Sequence, residues 1–592
     1  MIQPSPVTPS RKFSLLGQVF LWVAGVGVAV VLALSAAVGL FLGPYLKQKL
    51  ERGVREASDG LYVLKMDELK VQFWRGRLIA GGVVLQQDSA VYERLLHSGG
   101  EANYARVRLE VPVVTLGNIR WREYLGNDLV RVGEIFVDYP ALRVQRNGRL
   151  PPRRKPASAR DSEADSLVKP FFDRLPDLVH RVAAGGLVID TLAIHGGKLH
   201  YEAVAREGVA RHTADSLSVS CRDIRIDSSS RAEAWRRTLY AAQVRFGLRN
   251  YRYRAADGEY GLTIARIRCP DPYSLLVDSL DLRTLITDDA FARRHPYARD
   301  RFAVFVPRLA ARELDIERFL RDDYVAELIQ LTNPVVNVYR YTGRPRDPKP
   351  RRMPNEAVRQ FAYYFRVDTL ACRQATIQYS EQKAGADEPG DMLLENTNLQ
   401  LLNLTNDPEL MSAKTPAVVT GNCRLMGQGT LELTLAMNLL GESFDCRYSG
   451  TLARMQASGF NRFFMPSENI RIESGMVEKA VFAVHVRDGV ATGNLKALYH
   501  DLKLAVFHKE KKKKRKFLSF LGNLLIKSNN QPTKDNPPKI GEISYRREAD
   551  DGFVRLLWRA VKTGLITTLT PEALAKRALA GKGEEQQQEE KN

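Results

Sequence analysis

Two kinds of hydrophobic pattern divide the chain. From Phe13 to Leu46 there is no Asp, Glu, Lys, Arg or His, and the centre, Val19 to Leu42, reads VFLWVAGVGVAVVLALSAAVGLFL. A helix needs about 20 apolar residues to cross a hydrocarbon core of about 30 Å, and this run is long enough. Trp22 near one end and Tyr45 past the other suit the interfacial positions that such rings favour. A cleaved signal peptide has an apolar core of only about 7–15 residues. Here Val38 to Leu42 carries the run beyond the small pair Ala36-Ala37. The pattern predicts one transmembrane helix over 13–46, containing Val19, Trp22, Val30 and Leu42.

Past it a short polar helix starts at Pro44 and is predicted to end near Asp59-Gly60, and then the period falls to two. Leu69, Val71 and Phe73 alternate with Lys70 and Gln72; after Trp74-Arg75-Gly76 come Leu78, Ala80, Val83 and Leu85. Alternation on both sides of a glycine predicts a hairpin of half-buried strands. Leu431, Leu433, Leu435, Met437 and Leu439 alternate strictly, as do Ala480, Phe482, Val484 and Val486. Within 213–227 the phase holds over Leu217, Val219 and Cys221, then slips before Ile224 and Ile226, which predicts a bulge or a turn. Pro-rich polar stretches at 151–166, 343–354 and 528–539 interrupt the strands. A helix bearing Leu167, Phe171, Phe172, Leu175, Leu178 and Val182 is predicted after the first.

A repeat is also visible. Val132–Val144, Ile189–Tyr201 and Val367–Tyr379 each carry an apolar pair two apart, a break at Gly, Ala or Pro, and a second such pair; a weaker copy ends at Val338. The breaks centre on 140, 197, 334 and 375. Their unequal spacing argues against a strict solenoid or propeller and predicts a meander in which one hairpin type recurs.

Composition narrows the function more than it reveals it. The net charge is 88 − 68 = +20. On a chain with a membrane run, that balance points to an anionic membrane surface and away from nucleic acid. Cys221, Cys269, Cys372, Cys423 and Cys446 form no CxxC pair and read as small buried residues. HExxH, GxSxG, Walker A and the dinucleotide glycine fingerprint are all missing, so no enzyme, metal or cofactor is predicted. His195, His200 and His212 are the tightest histidine group. His195 and His200 differ in parity, and the copy at 367–379 has Arg373 and Gln378 instead, so surface histidines are the expectation. In His508–Lys516 seven of nine residues are basic, and Phe517, Leu518, Phe520, Leu521, Leu524 and Leu525 follow at helical spacing. That pairing predicts membrane-surface contact through Lys511, Lys512, Lys513, Lys514, Arg515, Lys516, Phe517 and Phe520, with a solvated loop as the alternative. A second amphipathic helix with Phe553, Leu556, Leu557, Ala560, Val561 and Leu565 on one side is expected to close the end of the sheet.

The phrase IDTLAIHGGKLHYE, the opening order of membrane helix, short helix and LKVQFWRGRLIAGGVVL, and Gly489-Val-Ala-Thr-Gly-Asn-Leu-Lys-Ala-Leu-Tyr499 within 475–506 resemble the AsmA-like family of bacterial envelope proteins. Phe517–Ile526, Ile543-Ser-Tyr-Arg-Arg-Glu and Phe553–Trp558 are similar to the branch that carries a domain of unknown function. The resemblance implies an inner-membrane anchor, a short cytoplasmic tail (1–12) and a periplasmic body. That body, over 47–507, would be an elongated, curved antiparallel β-sheet forming a taco-like groove, as in bridge-like lipid-transfer proteins. A basic and amphipathic helical segment (508–580) and a disordered tail (581–592) would follow. The chain is much shorter than the large family members, and Lys47, Lys49, Arg52 and Arg55 behind the helix oppose the implied orientation. Alternation alone fits both a closed sandwich core and an open groove. With the resemblance the groove is favoured, lined by Leu192, Ile194, Leu199, Tyr201, Leu370, Ile377, Leu431, Leu433 and Leu435. The expected function is non-enzymatic carriage of lipid, phospholipid above all, for envelope maintenance. The alternative is an assembly factor or scaffold for outer-membrane proteins or lipopolysaccharide machinery.

Overall fold

The computed structural model describes residues 43–570, apart from 59, 73–75, 98–105, 121–122, 124–128, 148–184, 206, 228–239, 321–322, 507–526 and 535. The predicted membrane helix up to Leu42, the loop 151–166 and the helix after it, the basic segment from Lys511 to Phe520 and the tail all lie outside the described residues. Among the described residues no helix is long and apolar enough to cross a membrane. They are mainly β and form two compact units. One lies within Met1–Ile286, with Arg308–Leu328 and Ala362–Tyr364; the other comprises Thr287–Pro307, Ile329–Phe361 and residues from Phe365 on.

In the first unit the polar helix is present as α1 (Gly43–Ala57), with Leu50 buried in the core. The expected hairpin is also present: β2 (Glu68–Gln72) pairs with the first half of β3 (Arg77–Gln87), and β1 (Tyr62–Lys65) with its second half. Gly82, at φ +59°, shifts the phase so that Ala80 and Val83 both enter the core. A side chain there would meet Asp67, so glycine is required. Helix α2 (Ser89–His97) leads to β4 (Arg106–Ile119), which pairs with β3, then with β5 (Val130–Asp138) and β6 (Ala141–Asn147). β5 and β6 run end to end, both antiparallel to β4 and both parallel to β7 (Leu187–Ala205). From β7 an antiparallel series continues through β8 (Gly208–Ile226), β9 (Ala241–Arg254), β10 (Tyr260–Cys269) and β11 (Ser274–Thr284).

The second unit repeats the plan. It takes residues 300–307 from β12 (Asp300–Arg312) and the end of β13 (Tyr324–Thr332), followed by β14 (Val335–Tyr341). β12 pairs antiparallel with β14, and β14 pairs parallel with β15 (Phe365–Gln382), reached through helix α3 (Pro354–Gln360). β16 (Gly390–Thr405), β17 (Ala417–Leu425), β18 (Gly429–Met437) and β19 (Cys446–Leu452) follow as antiparallel neighbours. β20 (Met455–Gln456) and helix α4 (Asn461–Glu468) then lead into β21 (Ile470–Arg487), β22 (Val490–Val506) and β23 (Gly541–Arg546). Helix α5 (Phe553–Leu569) buries Leu556 and Ala560 completely. It also acts on the edge as expected: Ser544 N–H donates to Thr563 Oγ1 (3.3 Å), and Thr567 Oγ1 donates to Glu542 O (2.9 Å). Those two backbone groups of β23 face away from β22, and the helix hydroxyls satisfy them.

The repeat requires a correction: none of its four breaks is a hairpin turn. Tyr139-Pro140 joins the collinear β5 and β6, and Gly196 is a bulge inside β7, with φ +53° at Tyr139 and +65° at Gly196. Asn333-Pro334 joins β13 to β14, and Gln374 lies inside β15, at φ +52° and +53°. The two breaks in each unit bond to one another. Tyr139 N–H donates to His195 O and Lys198 N–H to Pro140 O, just as Asn333 N–H donates to Arg373 O and Thr376 N–H to Pro334 O. An extra residue in the left-handed conformation resets the alternation without reversing the chain. The copies are therefore two parallel pairs, one per unit, and the module is duplicated. A parallel pair needs a crossover of about a dozen residues or more. The stretches 151–166 and 343–354 fall in those two crossovers. The slip in β8 falls at Asp223 (φ +51°), where the register with β7 and β9 is kept, so it is neither a bulge nor a turn.

Candidate functional site

The duplication allows the apolar face to be compared row by row. In the first unit Leu109, Leu142, Leu199 and Ala214 stand side by side across β4, β6, β7 and β8, each 1–5% exposed. The next row, Val107, Val144 and Tyr201, is equally buried. The matching rows of the second unit are Val304–Val336–Ile377–Leu394–Leu425 and Phe302–Val338–Tyr379–Met392. They are as apolar, yet none is buried; all are half-buried except Phe302, which is 43% exposed. The same module thus closes over its apolar face in one copy and leaves it partly in water in the other.

That contrast sorts the sequence-predicted positions. Ile194, Leu199 and Tyr201 belong to the closed core of the first unit, and Leu192 packs against it. Their assignment to an open groove is corrected for this reason: these side chains pack against one another in a buried cluster instead of facing water. Leu370 and Ile377 on β15 and Leu431 and Leu433 on β18 are half-buried. Leu435 is buried, in the row Leu370–Leu401–Val419–Leu435–Tyr448–Val484, under helix α5, to whose Leu557 O the Tyr448 hydroxyl donates (2.9 Å). Six positions that the alternation did not single out complete the open rows: Phe302, Val304, Val336, Met392, Leu394 and Leu425. Their signal was pairing to Ile377 and Tyr379, which is non-local. A concavity of about 470 Å³ is lined by Leu433 with Leu399 and Phe482, and by the more numerous polar residues Asn398, Gln400, Asn422, Glu432, Thr434 and Ser449.

Two polar devices border the apolar face in the second unit. Phe463 of α4 stands 6.4 Å from Tyr379, ring to ring, and Glu468 at the end of α4 bridges Lys383 (3.5 Å) and Lys562 of α5 (3.0 Å). Burial works to raise the Glu468 carboxyl, but the two lysines outweigh it and hold it below the usual range. The second device is a cluster of charge. Asp550 and Asp551 are buried, and with Glu548 they place carboxylate oxygens within 4.8 Å of one another. Arginines occupy the position a cation would take. Arg555 lies 2.9 Å from Asp550, Arg559 is 3.1 Å from Asp551 and 2.6 Å from Glu548, and the buried Arg340 links Asp550 (3.8 Å) to Asp300 (2.9 Å). Arg346, exposed, and Arg351, half-buried, both from the Pro-rich stretch 343–354, lie 2.5 Å from Glu548 and Asp300 respectively.

The five cysteines are free; Cys221, Cys423 and Cys446 are buried, and burial raises the Cys221 thiol to about 12 and the Cys423 thiol to about 11. His195 and His200 are surface residues, 3.2 Å from Asp138 and 3.4 Å from Glu202. Because the Gly196 bulge intervenes, they share a face despite their parity. His212 departs from expectation. Its ring packs 4.6 Å from Tyr253 and 5.3 Å from Tyr201, with Nδ1 2.8 Å from the Tyr251 hydroxyl, and burial lowers its pKa to about 4. Between that value and the unfolded one of about 6.5 the unfolded chain binds the extra proton, so acid favours unfolding. His212 support is complete above about pH 6.5 and lost as pH falls toward 4. His212→Gln should therefore lose less Tm between pH 7.5 and 4.5 than the parent. Equal losses in thermal scans would remove this role.

No protein-family model matches the chain, and no curated protein matches it.

Proposed function

We propose that the chain carries lipid along the half-open apolar face of its second unit, without chemistry. In this reading it is held in the bacterial inner membrane by residues 13–46, with its body in the periplasm, and its cargo is phospholipid. One observation carries the proposal: the rows around Ile377 stay partly in water although the matching rows around Leu199 are closed. Each Å² of apolar surface left in water forgoes about 25 cal/mol, so an open face needs an occupant to offset it. An acyl chain fits that requirement, since each methylene kept from water is worth about 0.8 kcal/mol. The run of apolar residues up to Leu42 and the family resemblance support the membrane setting.

A photo-crosslinker at Ile377 in cells, followed by mass spectrometry of the purified full chain, tests this. Lipid adducts at Ile377, with none at Leu199, are expected. Adducts to other proteins in place of lipid would instead favour an assembly factor or scaffold.

A further inference from the structure

The polar face of the first unit carries a feature that the lipid reading does not use. Gln86, Arg108, Arg143, His200 and Thr213 stand directly opposite one another across β3, β4, β6, β7 and β8, with Arg252 of β9 next in the row. Three adjacent strands thus place Arg, Arg and His in register, and Lys198 lies two residues from His200 on the same face. Like charges directly opposite across strands repel and weaken a sheet. The fold does not require them. The matching row of the second unit is Ala303–Asn337–Gln378–Leu393, and the residue matching Lys198 is Thr376.

Arg108, Arg143 and Lys198, with His200, line a concavity of about 730 Å³ that also reaches Leu142 and Leu199, and beside which α2 places Ser89 and Tyr92. Arg108 is engaged by Glu110 at 2.6 Å, and Arg106 by Glu93. Arg143 and Lys198 form no ion pair among the described residues, and Asp215 is the one carboxylate in the lining. A guanidinium fork and an ammonium at one concavity suit a tetrahedral oxyanion with several acceptors better than a single carboxylate. We propose that this concavity binds a phosphate group, either free or as the head of a small phospholipid, with Arg143 and Lys198 as its principal partners.

The proposal concerns a different face and unit from the lipid path and stands independently of it. The full chain, in nanodiscs of phosphatidylcholine, is titrated with inorganic phosphate, glycerol 3-phosphate and short-chain dibutyryl phosphatidic acid. Saturable binding of at least one is expected. Arg143→Gln combined with Lys198→Gln should weaken it at least tenfold, while Arg245→Gln, an exposed arginine outside the concavity, should leave it unchanged. Tighter binding of phosphatidic acid than of the other two identifies a lipid head as the source; equal or tighter binding of inorganic phosphate identifies the free ion. Absence of saturable binding by all three, an unaffected double variant, or equal weakening by Arg245→Gln would overturn the proposal.

Discussion

Leu199→Asp is expected to unfold the first unit, whereas Ile377→Asp, at the matching position of the second, should leave a folded protein without its lipid. The residues occupy the same place in the duplicated module: Leu199 pairs with Leu142 and Ala214, Ile377 with Val336 and Leu394. Leu199 is 4% exposed and belongs to a continuous buried cluster. A carboxylate there has no partner and no water; losses beyond about 4 kcal/mol are typical of such a burial. Ile377 is half-buried, so its replacement can turn a carboxylate toward water at a cost of about 1–2 kcal/mol, within reach of ordinary stability. Urea unfolding followed by circular dichroism measures the first effect, and lipid mass spectrometry of the purified chain the second. If Ile377→Asp unfolds as Leu199→Asp does, the second face is a closed core. If it folds and keeps its lipid, Ile377 is not on the path.

The second large effect concerns the arginine–carboxylate cluster. Asp551→Ala should destabilise the second unit by about 3–5 kcal/mol, because removing one member of a buried charge network leaves the others uncompensated. Asp551 is fully buried. It accepts from the Tyr545 hydroxyl (2.5 Å) and from Glu548 N–H (3.1 Å), and it lies between Arg555 and Arg559. Burial works against the charge of Arg559, and the hydrogen bonds it donates to the Tyr545 hydroxyl and to Glu548 outweigh it, so loss of Asp551 leaves a buried cation with one carboxylate fewer. Glu548 is more exposed, and Glu548→Gln should cost about 1 kcal/mol or less. Denaturant midpoints of the two variants give the comparison. A loss under 1 kcal/mol for Asp551→Ala would show that the cluster relaxes around the gap. Millimolar calcium should not raise the Tm, since the arginines already neutralise the three acids.

How much of this was legible in the sequence depended on how local the cause was. The alternations in β18 and β21, the β2–β3 hairpin and helices α1 and α5 follow from neighbours along the chain, and their positions were read directly. A break in alternation is the same string whether the chain turns or bulges. Tyr139-Pro140 and Gly196-Gly197 were therefore read as turns; only their bonds to one another, across 57 residues, show otherwise. Leu199 and Ile377 sit in matching phrases, IDTLAIHGGKLHY and VDTLACRQATIQY, so sequence could not separate a closed face from an open one. The ion pairs of Arg346 and Arg351 were not legible because Glu548 and Asp300 are distant in sequence, and a charge run does not name its partner.

The parallel seam also sets an order of events during synthesis. β6 ends at Asn147 and β7 begins at Leu187, so 39 residues (187 − 147 − 1) must emerge before the partner strand of β5 and β6 exists. At about 5–20 residues per second the ribosome leaves that edge without its neighbour for about 2–8 s. A bare strand edge is a template for pairing with any other nascent chain, and charged side chains on it are the usual protection. Arg143 and Arg146 lie on β6, along the edge that waits. In this interval Arg143 and Arg146 disfavour pairing with another chain, before Lys198 on β7 has been made.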